Sequence, residues 1–358
     1  MAVTPQDSQI AAQTETAFGV VGGAGWRFYE FLNETLDFNK NVKQSPGLRS
    51  GVRVARSARR YVPTAEGAGD LVVELQDKAL GQFLQAAFGQ ASSTGLTGGG
   101  FQQMFTLGSG ASGSVPFRPS MTVQKGIANP TSGNVEVVTY LGSTVDQFMF
   151  TFPQADIATL KMTLNSRDVN TSAASAGAPS YVATPSLFHF GQANFQVCLA
   201  SSLTVPVSTT PTAVTGLAAF TGPGPIANVN VRSAEVSVDN KAAQDRYNMD
   251  GTGRKKQPVA GIWDLKGKFT AEYSTTAFRD AYLADSPLAL VITYVSTTVV
   301  GSTFTTLQVV IPEVKLDSSV PQVNGYDLIT TDFNFTILDN LSAQAPIYVV
   351  MFTSDTSL

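Results

Sequence analysis

R-R-Y-V-P-T-A-E-G-A-G-D-L-V-V-E-L, from Arg59 to Leu75, and R-K-K-Q-P-V-A-G-I-W-D-L-K-G-K-F-T-A-E-Y, from Arg254 to Tyr273, present one order of features twice: a basic cluster, a proline, glycine, Asp-Leu and a strand-like run. A helical period follows each. After the first, Leu80, Phe83, Leu84, Ala87 and Phe88 share a face and predict a short amphipathic helix over 77–88; after the second, Ala277, Phe278, Ala281 and Tyr282 predict one over 274–284. The order continues downstream, with V-E-V-V (Val135 to Val138), Val145-Asp146 and Pro153-Gln154 answered by L-Q-V-V (Leu307 to Val310), Leu316-Asp317 and Pro321-Gln322. Upstream, L-D-F-N-K near Leu36 matches V-S-V-D-N-K near Val236. A colinear series at similar spacing indicates a tandem duplication. The expected organisation is a first module over 1–165, a Ser/Ala/Pro-rich linker over 166–186 and a second module over 187–358, each with one helix.

The rest of the chain reads as β structure. Short apolar runs rich in Val, Thr and Phe, such as F-M-F-T-F, F-Q-V-C-L, L-A-L-V-I-T-Y-V and D-F-N-F-T-I-L, are punctuated by Gly, Ser, Thr and Pro. Charged residues are 14% of the 358 residues, well below the roughly 25% of typical globular chains, so much of the surface is neutral and suits burial against further copies. Loops at 91–100, 166–186 and 205–225 are long and polar enough to serve as arms. The net charge of -4 argues against a broad nucleic-acid grip. The N-terminus lacks the basic start and apolar centre of a signal peptide, and no run approaches the apolar length of about 20 residues that a membrane helix requires.

Chemistry-bearing residues are sparse. His189 is the single histidine and Cys198 the single cysteine, too few for a zinc site and leaving no intrachain disulfide; Cys198 sits in F-Q-V-C-L-A and reads as a buried thiol. G-S-G-A-S-G, Gly108 to Gly113, matches a dinucleotide fingerprint in letters only, because the prolines that follow it forbid the helix whose N-terminus would hold the phosphates. The carboxylate pairs Asp245 with Asp250 and Asp280 with Asp285 lack further oxygen donors at a calcium-loop spacing. Neither a catalytic residue, a cofactor site nor a metal site is assigned.

The basic clusters carry the remaining signal. Arg53, Arg56, Arg59 and Arg60, with no acid among them, and Arg254, Lys255 and Lys256 occupy equivalent places in the two repeats. Three readings compete: phosphate contact, carboxylates of an adjacent subunit, or a solvated loop. The acidic total charge and the lack of interleaved aromatics place subunit contact above nucleic-acid grip.

The series S-V-D-N-K, G-R-K-K-Q-P, T-A-E-Y and F-R-D-A-Y-L-A-D-S-P-L-A-L, with E-T-A-F-G, A-E-G-A-G-D-L-V-V-E-L, T-V-Q-K-G and Y-L-G earlier, resembles the tail tube (major tail) proteins of long-tailed bacteriophages, particularly those of actinobacterial hosts. The likeness runs from about Glu15 to Asn340. It implies β-sandwich or half-barrel modules with a flanking helix, whose strands join an intersubunit β-barrel. It also implies a structural, non-enzymatic virion role in stacked rings that conduct the genome at ejection, with assembly in the host cytoplasm. The implied partners are further copies, as trimers with pseudo-sixfold symmetry or as hexamers, with a tape-measure protein, tail terminator and distal tail or baseplate proteins, and DNA in transit. A capsid decoration or baseplate protein is the alternative within virions. A carbohydrate-binding protein, using Trp26 and Trp263, is the alternative outside them.

Overall fold

The computed structural model describes residues 4–23, 25–107, 119–207, 216–317, 328–340, 343, 345–356 and 358. Gly108–Gly113, Pro321 and Gln322 therefore lie outside the described residues. The chain is mainly β. Among the described residues, eighteen strands form one hydrogen-bonded network, and two short ones, Leu203–Thr204 and Ala219–Phe220, pair apart from it.

The network is organised by Val135–Phe152, an 18-residue strand that serves two sheets. Its first part pairs with Met121–Ala128 and Asp168–Asn170, and Ser8–Thr14 extends that sheet beyond Met121–Ala128. Its last part pairs with Thr159–Ser166, which pairs with Arg60–Glu74, which pairs with Asp37–Gln44. The sequence runs V-E-V-V-T-Y and F-M-F-T-F are thus one element. Gly142 makes the turn of direction possible, since its φ of +64° is a left-handed conformation and its α-hydrogen faces Phe18 and Arg167 too closely for a side chain.

Downstream strands are wired in the same order. Thr303–Leu316 pairs on one side with Leu288–Val300, which Ala193–Leu199 extends, and on the other with Tyr348–Thr353 and Thr330–Ile337. Thr330–Ile337 pairs with Asp264–Glu272, and that strand with Val231–Asp239. The two four-strand sets then meet edge to edge: Val231–Asp239 pairs antiparallel with the end of Val135–Phe152, from Ala234 opposite Phe152 to Asp239 opposite Gln147. The result is a continuous antiparallel sheet whose order is Asp37–Gln44, Arg60–Glu74, Thr159–Ser166, Val135–Phe152, Val231–Asp239, Asp264–Glu272, Thr330–Ile337, Thr303–Leu316.

The inner face of this sheet is apolar by strand alternation. Leu71, Val73, Phe148, Phe150, Leu160, Met162, Val236, Phe269, Phe333 and Phe335 all belong to one buried cluster. A helix covers each set. Helix α1, Gly81–Phe88, packs Phe88 against Phe148 with tilted rings 4.9 Å apart, and helix α2, Ala277–Leu283, packs Phe278 against Phe333 in the same way at 4.9 Å. The stacked rings of Phe152 and Tyr294, 5.7 Å apart, carry the first aromatic group onto Leu288–Val300.

Both helices are shorter than their periodicity predicts. Residues before Gly81 are held otherwise: the backbone N–H of Asp77 donates to Ser186 O at 3.0 Å, its carboxylate accepts from Ser186 N at 2.8 Å, and Ala79 has a φ of +64°. At the other site Asp285, with a φ of +49°, ends the helical turn, and Tyr282, expected on the buried face, is 37% exposed. The polar stretch 166–186 begins inside the sheets, with Ser166 buried at the end of one strand and Asp168–Asn170 forming another.

Candidate subunit interface

Two connections project from the sheet's ends. Residues 45–59 join Asp37–Gln44 to Arg60–Glu74, and residues 240–263 join Val231–Asp239 to Asp264–Glu272. We refer to them as the first and second arms. Each carries one of the basic clusters and apolar side chains facing solvent: Leu48 and Val54 on the first, Met249 and Ile262 on the second.

The second arm is docked within the chain. It leaves Val231–Asp239 and crosses the ends of the preceding strands to reach Arg60–Glu74. Lys255 is buried there, paired with Glu66, and donates to Asn165 Oδ1 at 2.7 Å. Arg254 Nε reaches Asp168 at 2.9 Å. Tyr247 donates to Glu66 at 3.2 Å, and burial, the Glu66 charge and that hydrogen bond push its hydroxyl up to about 12. Gly253, at a φ of +61°, approaches Pro63 so closely that a Cβ would lie 2.5 Å from its carbonyl oxygen. Lys256 pairs inside the arm with Asp250 at 2.6 Å, and hydrogen bonds from Lys256 and Thr252 hold that exposed carboxyl well below its ordinary range. Arg254 and Lys255 thus join two parts of one chain, while Lys256 closes the arm on itself.

The first arm has no such dock. Arg53, Arg56 and Arg60 have no ion-pair partner among the described residues, and Arg59 donates only within the arm, to Ser45 Oγ at 2.9 Å. Among the described residues, the strand behind it, Asp37–Gln44, pairs along one edge only, with Arg60–Glu74. An edge strand flanked by unpartnered cations is a joint in waiting or a hazard, because its outward N–H and C=O groups template further pairing.

The outward face of the eight-strand sheet is polar and its charges are largely matched. Lys161 pairs with Asp70 at 2.8 Å, Lys268 with Glu235 at 3.3 Å and Lys266 with Asp264 at 2.9 Å, while Asp332 accepts from Thr270 Oγ1 at 2.6 Å. Burial raises the Asp70 carboxyl, but hydrogen bonds from Lys161 and Thr163 outweigh it and leave it below its ordinary value. A shallow groove on this face lies among Gln147, Lys161, Thr163, Ser237, Asp239 and Lys266.

Residues weighed for chemistry serve the scaffold. His189 is exposed and its Nδ1 accepts from Gly191 N at 3.2 Å, closing a 3-10 turn. Cys198 is buried in Ala193–Leu199, and burial pushes its thiol up to about 11. Trp263 packs against the core. No cluster of potential metal ligands occurs among the described residues, and no helix is long and apolar enough to cross a membrane. Glu15, inside the E-T-A-F-G motif but not singled out as a site by the sequence, is buried and accepts four hydrogen bonds: from Ser120 at 2.6 Å, and from Thr122, Gly19 N and Gly142 N at 2.8 Å.

In comparisons with known proteins, a family model described as phage tail tube protein matches residues 5–337. No curated protein matches the chain.

Proposed function

The chain belongs to the phage tail tube protein family and is a structural protein of the virion's tail tube, and from that premise we propose that its eight-strand sheet is one sector of a barrel closed by further copies. The carrying observation is the seam between Val135–Phe152 and Val231–Asp239, where two similarly wired four-strand sets already join edge to edge. Repeating that seam between chains gives the unpaired side of Asp37–Gln44 a partner and closes that edge of the eight-strand sheet. The two sets, each with its helix, act as the two modules read from the sequence, so a ring of three chains has pseudo-sixfold symmetry; a ring of six is the alternative.

The polar face forms the wall of the conduit and the helices lie outside it. Lys–acid pairs on that face, with Asp239 matched by Lys241 and Asp332 in excess, suit a channel that must pass DNA without retaining it, since a wall of free cations would hold the polyanion by counterion release. A tape-measure protein occupies this lumen before ejection, and terminator and distal proteins close its ends. The role is a conduit's rather than a catalyst's, in a long-tailed phage of an actinobacterial host, assembled in the host cytoplasm.

Electron microscopy of the purified protein tests this. Hollow tubes whose end-on averages show three chains with sixfold appearance are expected; a dispersed monomer, or shells and discs, would overturn the reading.

A further inference from the structure

The second arm's dock inside the chain describes a contact that the first arm has no means of making there. The strand pairings relate the two sites. Gly69 lies opposite Leu164, which lies opposite Val145; Gly267 lies opposite Phe335, which lies opposite Leu316. Counting along the strands from these two rows makes Glu66 correspond to Asp264, Asn165 to Thr336 and Asp168 to Asp339. The acceptors of Lys255 and Arg254 in the first set therefore have acidic counterparts, Asp264 and Asp339, at the same end of the second set.

The second arm reaches its site by crossing the strands that precede Val231–Asp239 in the sheet. Asp37–Gln44 is the sheet's first strand, and among the described residues no strand of the same chain precedes it. The set that the first arm would cross must come from a second copy. Charge agrees on both sides: the arm carries Arg53, Arg56 and Arg60 without ion-pair partners among the described residues, and the receiving end carries two acids, Asp264, already paired with Lys266 of its own strand, and Asp339, whose exposed side leaves room for a second cation.

We propose that the first arm, residues 45–59 with Arg60 at its root, docks on the ends of Asp264–Glu272 and Thr330–Ile337 of a second copy, where its arginines meet Asp264 and Asp339. The contact repeats between chains what the second arm does within one. It rests on the tube reading, since it needs copies side by side around a ring. Leu48 and Val54, which face solvent in the single chain, become covered on that neighbour.

Cross-linking of assembled protein tests it. The natural Cys198 is fully buried, so engineered thiols are read against a silent background. Tubes of the Arg56→Cys, Asp264→Cys variant treated with a short bismaleimide are expected to run as a ladder of chain multiples on a denaturing gel. The control with Arg56→Cys and Asp332→Cys, whose second thiol lies further along the sheet, gives single chains. Tubes without a ladder, or with equal ladders in both, overturn the proposal and leave the tube reading standing; wild-type protein that never forms tubes sinks both. Charge reversal supplies an independent variant. Arg53→Glu with Arg56→Glu and Arg60→Glu is expected to cut tube yield about tenfold or more, and adding Asp264→Lys with Asp339→Lys to restore it, as like-charge contacts become matched again. Unchanged yield, or loss without rescue, counts against the contact.

Discussion

Lys255 brings an ammonium to a position with only 5% of its side chain exposed, where Glu66 and Asn165 answer it. Losing one member of such a pair strands the other. Glu66 keeps 22% exposure and so retains some hydration. Lys255→Ala is therefore expected to cost about 2–3 kcal/mol, below the usual cost for a fully buried pair, and Lys255→Met with Glu66→Gln to cost less than the single change; urea denaturation midpoints measure both. Glu15 holds four donors, two of them backbone N–H groups, so Glu15→Ala should destabilise the chain by about 3 kcal/mol in the same assay. Asp77 shows the opposite sign. Burial raises its carboxyl above its ordinary value, against the hydrogen bond from Ser186. The folded chain then keeps a proton that the unfolded chain, titrating near about 3.9, has released, so stability falls as pH rises from there through the folded value. Asp77→Asn should be at least as stable as the parent at neutral pH, with the difference closing in acid as both side chains become uncharged.

At the scale of elements, the sheet depends on how its strands fit side by side. Gly267 lies across from Phe335, and a Cβ there would come within 2.2 Å of the ring and 2.6 Å of the Glu235 carbonyl oxygen. Gly267→Ala forces the ring or the neighbouring strand to shift, an expected cost of about 1–3 kcal/mol, read as a lowered midpoint of thermal unfolding followed by circular dichroism. Much of this level was legible in the sequence. Val, Phe and Thr runs marked strands because alternation is a local property, and Phe83, Leu84 and Phe88 marked a helical face for the same reason. The start of helix α1 was not legible, because Asp77 is held by Ser186, distant in sequence. The partners of Arg254 and Lys255 were hidden likewise: their cluster was visible as charge, but Asp168, Glu66 and Asn165 come from strands that only folding brings near. Glu15 gave no signal beyond its motif, since its donors are backbone groups and hydroxyls scattered along the chain.

For the whole molecule, the polar face sets the behaviour of the assembled wall. Asp332 is exposed there with a single hydroxyl donor, so Asp332→Lys repeats a new cation in every copy around and along a tube. Tubes of this variant are expected to bind DNA in a filter assay at low salt, with affinity falling steeply as salt is raised, while unaltered tubes bind weakly throughout. Equal binding by the two would place that face away from the bore.

The seam between Val135–Phe152 and Val231–Asp239 has a consequence for dilution. A junction linking separate molecules dissolves as concentration falls, because partners regain translational freedom on parting. Here both sides share one backbone, so the local concentration of each strand around the other is set by the intervening polypeptide and never by the solution. Such a seam forms once per molecule as it folds, and it survives any degree of thinning short of denaturation.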